Sequence, residues 1–257
     1  MNILLNGMCG FMGREVVKLC EINYRGSNLA FGVDPNASSE AYKSFDDIPS
    51  IEQVDCIIDF SHHSATPALL DYATQNKLPL VLCTTGHTSE EKELIDKASE
   101  SIPLFYSGNM SLGIALLIEL AKSTAKAFPE AEIEIIEKHH DRKIDAPSGT
   151  ALMLANAICE IRPEAYANCG RSGQGKRTPE EIGIHSIRMG NIVGDHEVIV
   201  GTQSQTITLK HEAHNRALFA EGAIAAADFL IGQPAGMYDM KSMLSGEKAK
   251  DAVITAE

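Results

Sequence analysis

The sequence predicts an α/β protein. Its N-terminal part should form a parallel, doubly wound sheet, and a second, α+β domain should carry a four-stranded mixed or antiparallel sheet. Three observations carry this expectation. Short apolar runs alternate with helical patterns as far as Tyr106. A glycine-rich turn, Gly7-Met8-Cys9-Gly10-Phe11-Met12-Gly13, joins the first apolar run to the first helical pattern. Beyond Ala131, segments with period-2 alternation gather with a single helix among them.

The elements follow in order. Residues 2–6 are apolar and bounded by Gly7, which reads as a buried strand. The glycine turn leads into a helix carrying Val16, Val17, Leu19 and Cys20. Residues 29–33 form a second strand that ends at Asp34, and residues 56–60 form a third. A helix over 66–76, a strand over 79–83, an acid-started helix over 89–100 and a strand over 103–106 complete the alternation. Strands that alternate with helices pair in parallel, and such sheets bind ligands beyond the carboxyl ends of their strands. Gly7 to Gly13, Asp34, Cys83-Thr84-Thr85-Gly86 and Ser107-Gly108-Asn109-Met110 all fall there.

A helix from residue 111 to about 127, apolar nearly all round through Leu120, should be buried. The next strand, 131–138, alternates Ile133 and Ile135 against Glu132 and Glu134. A helix over 148–161 follows, and 162–182 reads as an exposed loop. Strands at 184–189, 196–200 and 205–210 should be joined as hairpins through 190–194 and 201–204. An alanine-rich helix over 216–232 should return to the first domain. The expected domains are therefore 1–109 with 215–257 for a dinucleotide, and 110–214 for substrate and oligomerisation.

Composition narrows the partners. The chain has 257 residues and 44% hydrophobic content, enough for one large or two modest domains. Its net charge of −13 argues against nucleic acid and anionic membranes as partners. An anionic ligand would therefore need a local cationic site. Six cysteines show no metal spacing and read as reduced thiols of a cytoplasmic protein. The N-terminus lacks an export-signal pattern, and the longest apolar run, 112–118, is too short to span a bilayer.

The glycine turn sits between a strand and a helix, as a dinucleotide site requires. Its spacing is Gly-x-x-Gly-x-x-Gly, with Cys9 where a second glycine often stands. Asp34 lies 21 residues past Gly13 (34 − 13), a position from which an acid can hold the ribose hydroxyls of NAD.

The most informative window runs from Glu137 to Leu152. Its strand ends in Lys138-His139-His140-Asp141-Arg142-Lys143, and Ser148 then stands as the N-cap of a helix that starts Gly149-Thr150. The first-turn N–H groups of Gly149 and Thr150, with the helix dipole behind them, suit an anion. Imidazoles and a lysine beside them can hold carboxylates and supply a proton. The plainer reading is a solvated loop and an ordinary cap. A metal site is disfavoured: His139 and His140 are adjacent and point to opposite sides of an extended chain.

The segment Glu137-x-His139-His140-x-x-Lys143-x-Asp145-Ala146-Pro147-Ser148-Gly149-Thr150-Ala151 resembles the signature of the 4-hydroxy-tetrahydrodipicolinate (dihydrodipicolinate) reductase family. Further matches are Gly7, Gly10 and Gly13, Cys83 to Gly86, Asn109 to Gly113, Arg188 to His196 and His211 to Phe219. The resemblance spans nearly the whole chain. It implies a Rossmann-type N-terminal domain, a nicotinamide cofactor, a cyclic dicarboxylate substrate of diaminopimelate and lysine biosynthesis, and a homotetramer assembled through the second sheet. It also implies His139 as general acid, Lys143 as second proton donor, and His140, Gly149 and Thr150 as substrate ligands. The cofactor would lie against residues 7–13, Asp34, Cys83, Thr84, Thr85 and 107–110.

Two departures bear on the cofactor. Phe11 stands where the family usually carries Arg, and Pro35 follows the acid where members that take NADP often have Arg. A carboxylate without a neighbouring guanidinium repels a 2′-phosphate, so NADH is expected over NADPH, with Lys43 leaving NADPH open. Two other readings compete: a Rossmann-type oxidoreductase of the sugar-dehydrogenase kind, and a non-enzymatic NAD-sensing regulator. The first has Pro where this chain has His139, and a DNA-acting regulator would need a basic face that is not found.

Overall fold

The computed structural model describes residues 1–37 and 40–246. The chain divides into two compact units, Met1–Leu112 with Arg216–Glu257, and Gly113–Asn215. The N-terminal stretch runs β1 (Asn2–Asn6), α1 (Phe11–Glu21), β2 (Asn28–Val33), β3 (Cys56–Asp59), α2 (Thr66–Gln75), β4 (Leu80–Leu82), α3 (Ser89–Ser99) and β5 (Pro103–Tyr106). The middle stretch runs α4 (Leu112–Ala127), β6 (Glu132–His139), α5 (Gly149–Ile161), β7 (Tyr166–Cys169), β8 (Glu181–Arg188), β9 (Gly194–Gly201) and β10 (Thr206–Ala213). The chain then returns to the first unit with α6 (Ala217–Leu230), β11 (Gly236–Tyr238) and α7 (Met240–Ser245).

The first unit is built on a six-stranded sheet of order β11-β5-β4-β3-β1-β2, parallel at every pairing. Its strands are apolar without alternation because both faces are covered. Leu4, Ile57, Leu80, Leu82 and Leu104 pack under α2 and α3 with Leu69, Leu70 and Ile95. On the other face α6 lies against β3, β4, β5 and α1. Alanines let α6 sit close, and a Cβ on Gly222 would overlap the Met110 carbonyl oxygen. The doubly wound parallel sheet is as the alternation predicts. The sixth strand, β11, was not legible: three residues, Gly-Met-Tyr, carry too little pattern.

The second unit has a five-stranded mixed sheet of order β10-β9-β6-β8-β7. Its core face, Ile133, Ile135, Ile182, Ile184, Val198 and Val200, packs under α4 and α5. Three expectations are corrected here. The segment expected to be a loop contains β7, an exposed edge strand parallel to β8. The strands β8 and β9 are not a hairpin, because β6 lies between them, parallel to β8 and antiparallel to β9. Alternation shows which face of a strand is buried, not which strand is its neighbour. The helix expected to be buried all round exposes Leu112, Leu116 and Leu120.

The insertion of β6 shapes the site. Residues 189–193 must cross the end of β6 to connect its two neighbours. Met189 N–H donates to the His139 carbonyl (2.9 Å), and Asp141 N–H donates to the Gly190 carbonyl (3.3 Å). Side chains from β8 and β9 are thereby brought to both sides of His139. Among the described residues no helix is long and apolar enough to cross a membrane.

Candidate active site

In the first unit the glycine turn closes on itself. Gly7 has φ +80°, and a Cβ there would lie 2.5 Å from the Phe60 carbonyl oxygen. A Cβ on Gly13 would overlap the Gly7 carbonyl oxygen, so α1 meets β1 only because both positions are glycine. Gly10 is the N-cap of α1 and supplies no side-chain acceptor. The start of α1 therefore keeps its capacity for an anion, which fits a dinucleotide pyrophosphate. Asp34, at the end of β2, accepts the Cys9 N–H (3.0 Å) and the Asn36 N–H (2.9 Å), which ties the acid to the turn. Met8 packs over Gly32, where any side chain would overlap its sulfur. Phe11 is exposed, and the Arg216 guanidinium lies 5.4 Å from its ring centroid.

The other strand ends are cross-linked. Asp59, at the end of β3, accepts from Asn6 Nδ2 (2.7 Å), Ser61 Oγ (2.6 Å) and Thr84 Oγ1 (2.5 Å). Burial pushes its carboxyl up, and those donors oppose the rise. Thr85 approaches Gly108, and Ser107 Oγ donates to the Asn109 carbonyl (2.8 Å). Cys83 and Met110 are buried.

The second unit gathers its chemistry around Glu137. This carboxylate is fully buried and accepts from Arg188 through both terminal nitrogens (2.7 and 2.8 Å), from His139 Nδ1 (2.6 Å) and from Ser148 N–H (3.1 Å). Burial alone would raise its pKa, but the Arg188 fork and the Ser186, His139 and Ser148 donors prevail and hold it at about 2. The arrangement follows from register. Glu137 and His139 point to the same face of β6, and Arg188 of β8 stands opposite His139. Ser148 caps α5, accepting the Ala151 N–H (3.2 Å), and its hydroxyl meets His196 Nε2 (3.1 Å).

The His139 and His196 rings meet edge to face, 5.2 Å apart. Burial holds His139 below its ordinary pKa; Lys143 and Arg188 add to that, and Glu137 opposes it. Burial drives His196 down to about 3, with the His139 charge adding to the effect. At Gly194 a Cβ would stand 3.0 Å from His139 Nε2, so that ring edge is left clear by a missing side chain.

Of the residues expected at this site, His139 is at its centre. Lys143 pairs with Asp145 (2.8 Å) and is close enough for its charge to act on His139. Gly149 and Thr150 open α5 beside the Ser148 cap. The buried Nδ1 of His140 lacks a hydrogen-bond partner. Sequence reasoning did not single out Glu137, Arg188 and His196 as site residues. The signal was the period-2 step from Glu137 to His139 and the Arg188-to-His196 motif, which only pairing brings together. Among the described residues no cluster of His, Cys, Asp and Glu suits a metal.

Comparison with known proteins places these two units. The sequence profile described as "Dihydrodipicolinate reductase, N-terminus" matches residues 1–110, and that described as "Dihydrodipicolinate reductase, C-terminus" matches residues 113–244. The chain is 45% identical over 248 residues to a 4-hydroxy-tetrahydrodipicolinate reductase of Clostridium tetani, covering 95% of this chain and 97% of that one. It is 44% identical to the enzyme of the same name from Caldanaerobacter subterraneus subsp. tengcongensis, covering 95% and 98%. Among solved structures it resembles the dipicolinate-bound dihydrodipicolinate reductase of Paenisporosarcina sp. TG-14, with a TM-score of 0.77 at 25% identity, covering 93% and 97%. The chain belongs to the dihydrodipicolinate reductase family.

Proposed function

We propose that this protein reduces 4-hydroxy-tetrahydrodipicolinate to tetrahydrodipicolinate and water with a nicotinamide cofactor, in diaminopimelate and lysine biosynthesis. The observation that carries the reading is the buried Glu137–His139–Arg188 cluster beside the capped start of α5, a site for protons and anions together.

A nicotinamide held by the glycine turn and the strand ends of the first unit would supply a hydride, accepted at C4 of the unsaturated ring left when the substrate loses water. The protein's part is to hold the ring and to move a proton to C3 of the resulting enamine. His139 donates that proton. Its burial leaves the resting imidazole neutral, and the two substrate carboxylates raise its proton affinity when they bind. The proton is thus taken up with the substrate. Lys143, held by Asp145, is the second donor and a charge partner. His140 and the first turn of α5 at Gly149 and Thr150 receive the carboxylates, supported by the helix dipole.

In the first unit, residues 7–13 cradle the pyrophosphate and Asp34 receives the adenosine ribose. Cys83 to Thr85 and Ser107 to Met110 line the sheet edge towards the nicotinamide. The Asp34 carboxylate, fixed to the turn and followed by Pro35, favours NADH over NADPH. Cytoplasmic residence and a homotetramer formed through the helix-free face of the second sheet complete the reading. That face carries Ile136 and Ile199 among charged neighbours.

The test is steady-state oxidation of NADH and NADPH with enzymatically generated 4-hydroxy-tetrahydrodipicolinate. Turnover with a higher kcat/KM for NADH is expected; no turnover refutes the reaction, and a clear NADPH preference refutes the role of Asp34. Light scattering on the purified protein tests the tetramer.

A further inference from the structure

One carboxylate in the second unit has no exposed surface to offer a ligand. Glu137 is fully buried, yet both of its oxygens are committed to named donors from three directions. Arg188 enters from β8 and forms a two-pronged pair with it. Ser148 N–H reaches it from the start of α5, and His139 lies two residues further along β6. Such a carboxylate has no freedom to swing, because every displacement breaks at least one charge-assisted bond in a dry environment.

We infer that Glu137, clamped by Arg188, is a positioning pair: it fixes the orientation and tautomer of His139, so that Nδ1 carries the proton and Nε2 faces the ligand across Gly194. The inference rests on the reading of His139 as the proton donor. An ionised carboxylate can only accept, so the 2.6 Å contact requires a proton on Nδ1. Neutral His139 then has a bare Nε2, and that edge is the one Gly194 leaves clear. When substrate raises its proton affinity, the imidazole gains a proton at Nε2, facing the enamine carbon. Delivery to C3 returns the ring to the starting tautomer, with the proton balance closed and Glu137 unchanged. The Ser148 bond adds a second function. The acid that aims the imidazole also holds the cap of the helix proposed to receive a carboxylate, so ring and anion site share one anchor.

Four groups face His139: Glu137 from its own strand, Lys143 from the following loop, Arg188 from β8 and His196 from β9. Only Glu137 is negative. Its loss should therefore both free the ring and make the imidazolium harder to form.

The first measurement needs no variant. Nitrogen-15 NMR of the full-length protein, labelled at histidine, reads the His139 tautomer at pH 8. Nδ1–H is expected; Nε2–H overturns the inference. The second is Glu137→Gln, which keeps size and removes charge. By analogy with other carboxylate–imidazole pairs, kcat should fall about 10²- to 10⁴-fold with substrate KM within about threefold. The alkaline limb of the kcat–pH profile, where the donor loses its proton, should move to lower pH. A Glu137→Gln protein that is folded by circular dichroism and keeps the wild-type kcat and pH profile overturns the inference. Glu137→Asp, which restores the charge, should return the alkaline limb towards wild type; a limb unmoved from that of Glu137→Gln counts against a positioning role. The two readings fail separately. A wild-type protein with the Nδ1–H tautomer but no reductase turnover sinks the reaction, whereas full turnover with an Nε2–H tautomer sinks the positioning pair alone.

Discussion

His196 gives a quantitative test of how the second unit is built. The ring is buried, packs against His139 and contacts Ser148 through Nε2, and burial holds its pKa at about 3. In the unfolded chain it titrates near ~6.5. The folded value lies below the unfolded one, so the unfolded chain takes up the proton first. Stability from this residue is present above ~6.5 and is lost as pH falls towards about 3. At pH 5 the loss works out to about 2 kcal/mol, and at pH 8 it is near zero. His196→Gln keeps an amide nitrogen near Ser148 and removes the titration. Urea unfolding of both proteins at pH 8 and pH 5, followed by far-ultraviolet circular dichroism, supplies the comparison. Wild type should lose about 2 kcal/mol more than the variant between the two pH values. His139 and His211, which burial also holds down, persist in the variant and largely cancel. Glu137 works in the other sense of charge: its pKa is lowered to about 2, so its stabilisation is present above ~4.3 and lost only in stronger acid. It scarcely changes over this window. An equal acid loss in both proteins would mean that His196 is not buried as a neutral ring, and the packing derived for β9 against β6 would be wrong.

Three further expectations concern activity. In Gly194→Ala the new Cβ, 3.0 Å from His139 Nε2, forces the ring to shift by a few tenths of an ångström, and its backbone needs no positive φ. Reductase kcat/KM should fall roughly tenfold or more while the urea midpoint stays near wild type, since misplacement of a reacting group is costly; unchanged kcat/KM would show that this edge of the ring faces no ligand. His139→Gln should lower kcat about 10²- to 10⁴-fold with little change in KM, and Lys143→Ala should lower kcat and weaken substrate binding together. Normal steady-state constants in either variant would remove that residue from its role.

Much of this was written in the primary sequence. The non-alternating runs 2–6, 56–60 and 79–83 can only be strands covered on both faces, and the helices between them force parallel pairing. The turn from Gly7 to Gly13 was legible because its first and last positions have no room for a side chain. Ser148 was legible as a cap because its hydroxyl stands where a helix start needs an acceptor. His139 stood out because it ends a strand beside that cap. These are local properties, determined by sterics, periodicity and hydrogen-bonding capacity within a few residues.

Tertiary structure decided what depends on neighbours remote in sequence. Alternation in β8 and β9 could not reveal that β6 slides between them, since period 2 says which face is buried and nothing about the strand alongside. That insertion brings Arg188 and His196 to His139 and turns Glu137, one of the many acids in this chain, into a buried anchor held at about 2. Burial and charge pairing are properties of the folded assembly of strands. For that reason the residue proposed as proton donor could be named from the chain, while the groups that surround it could not.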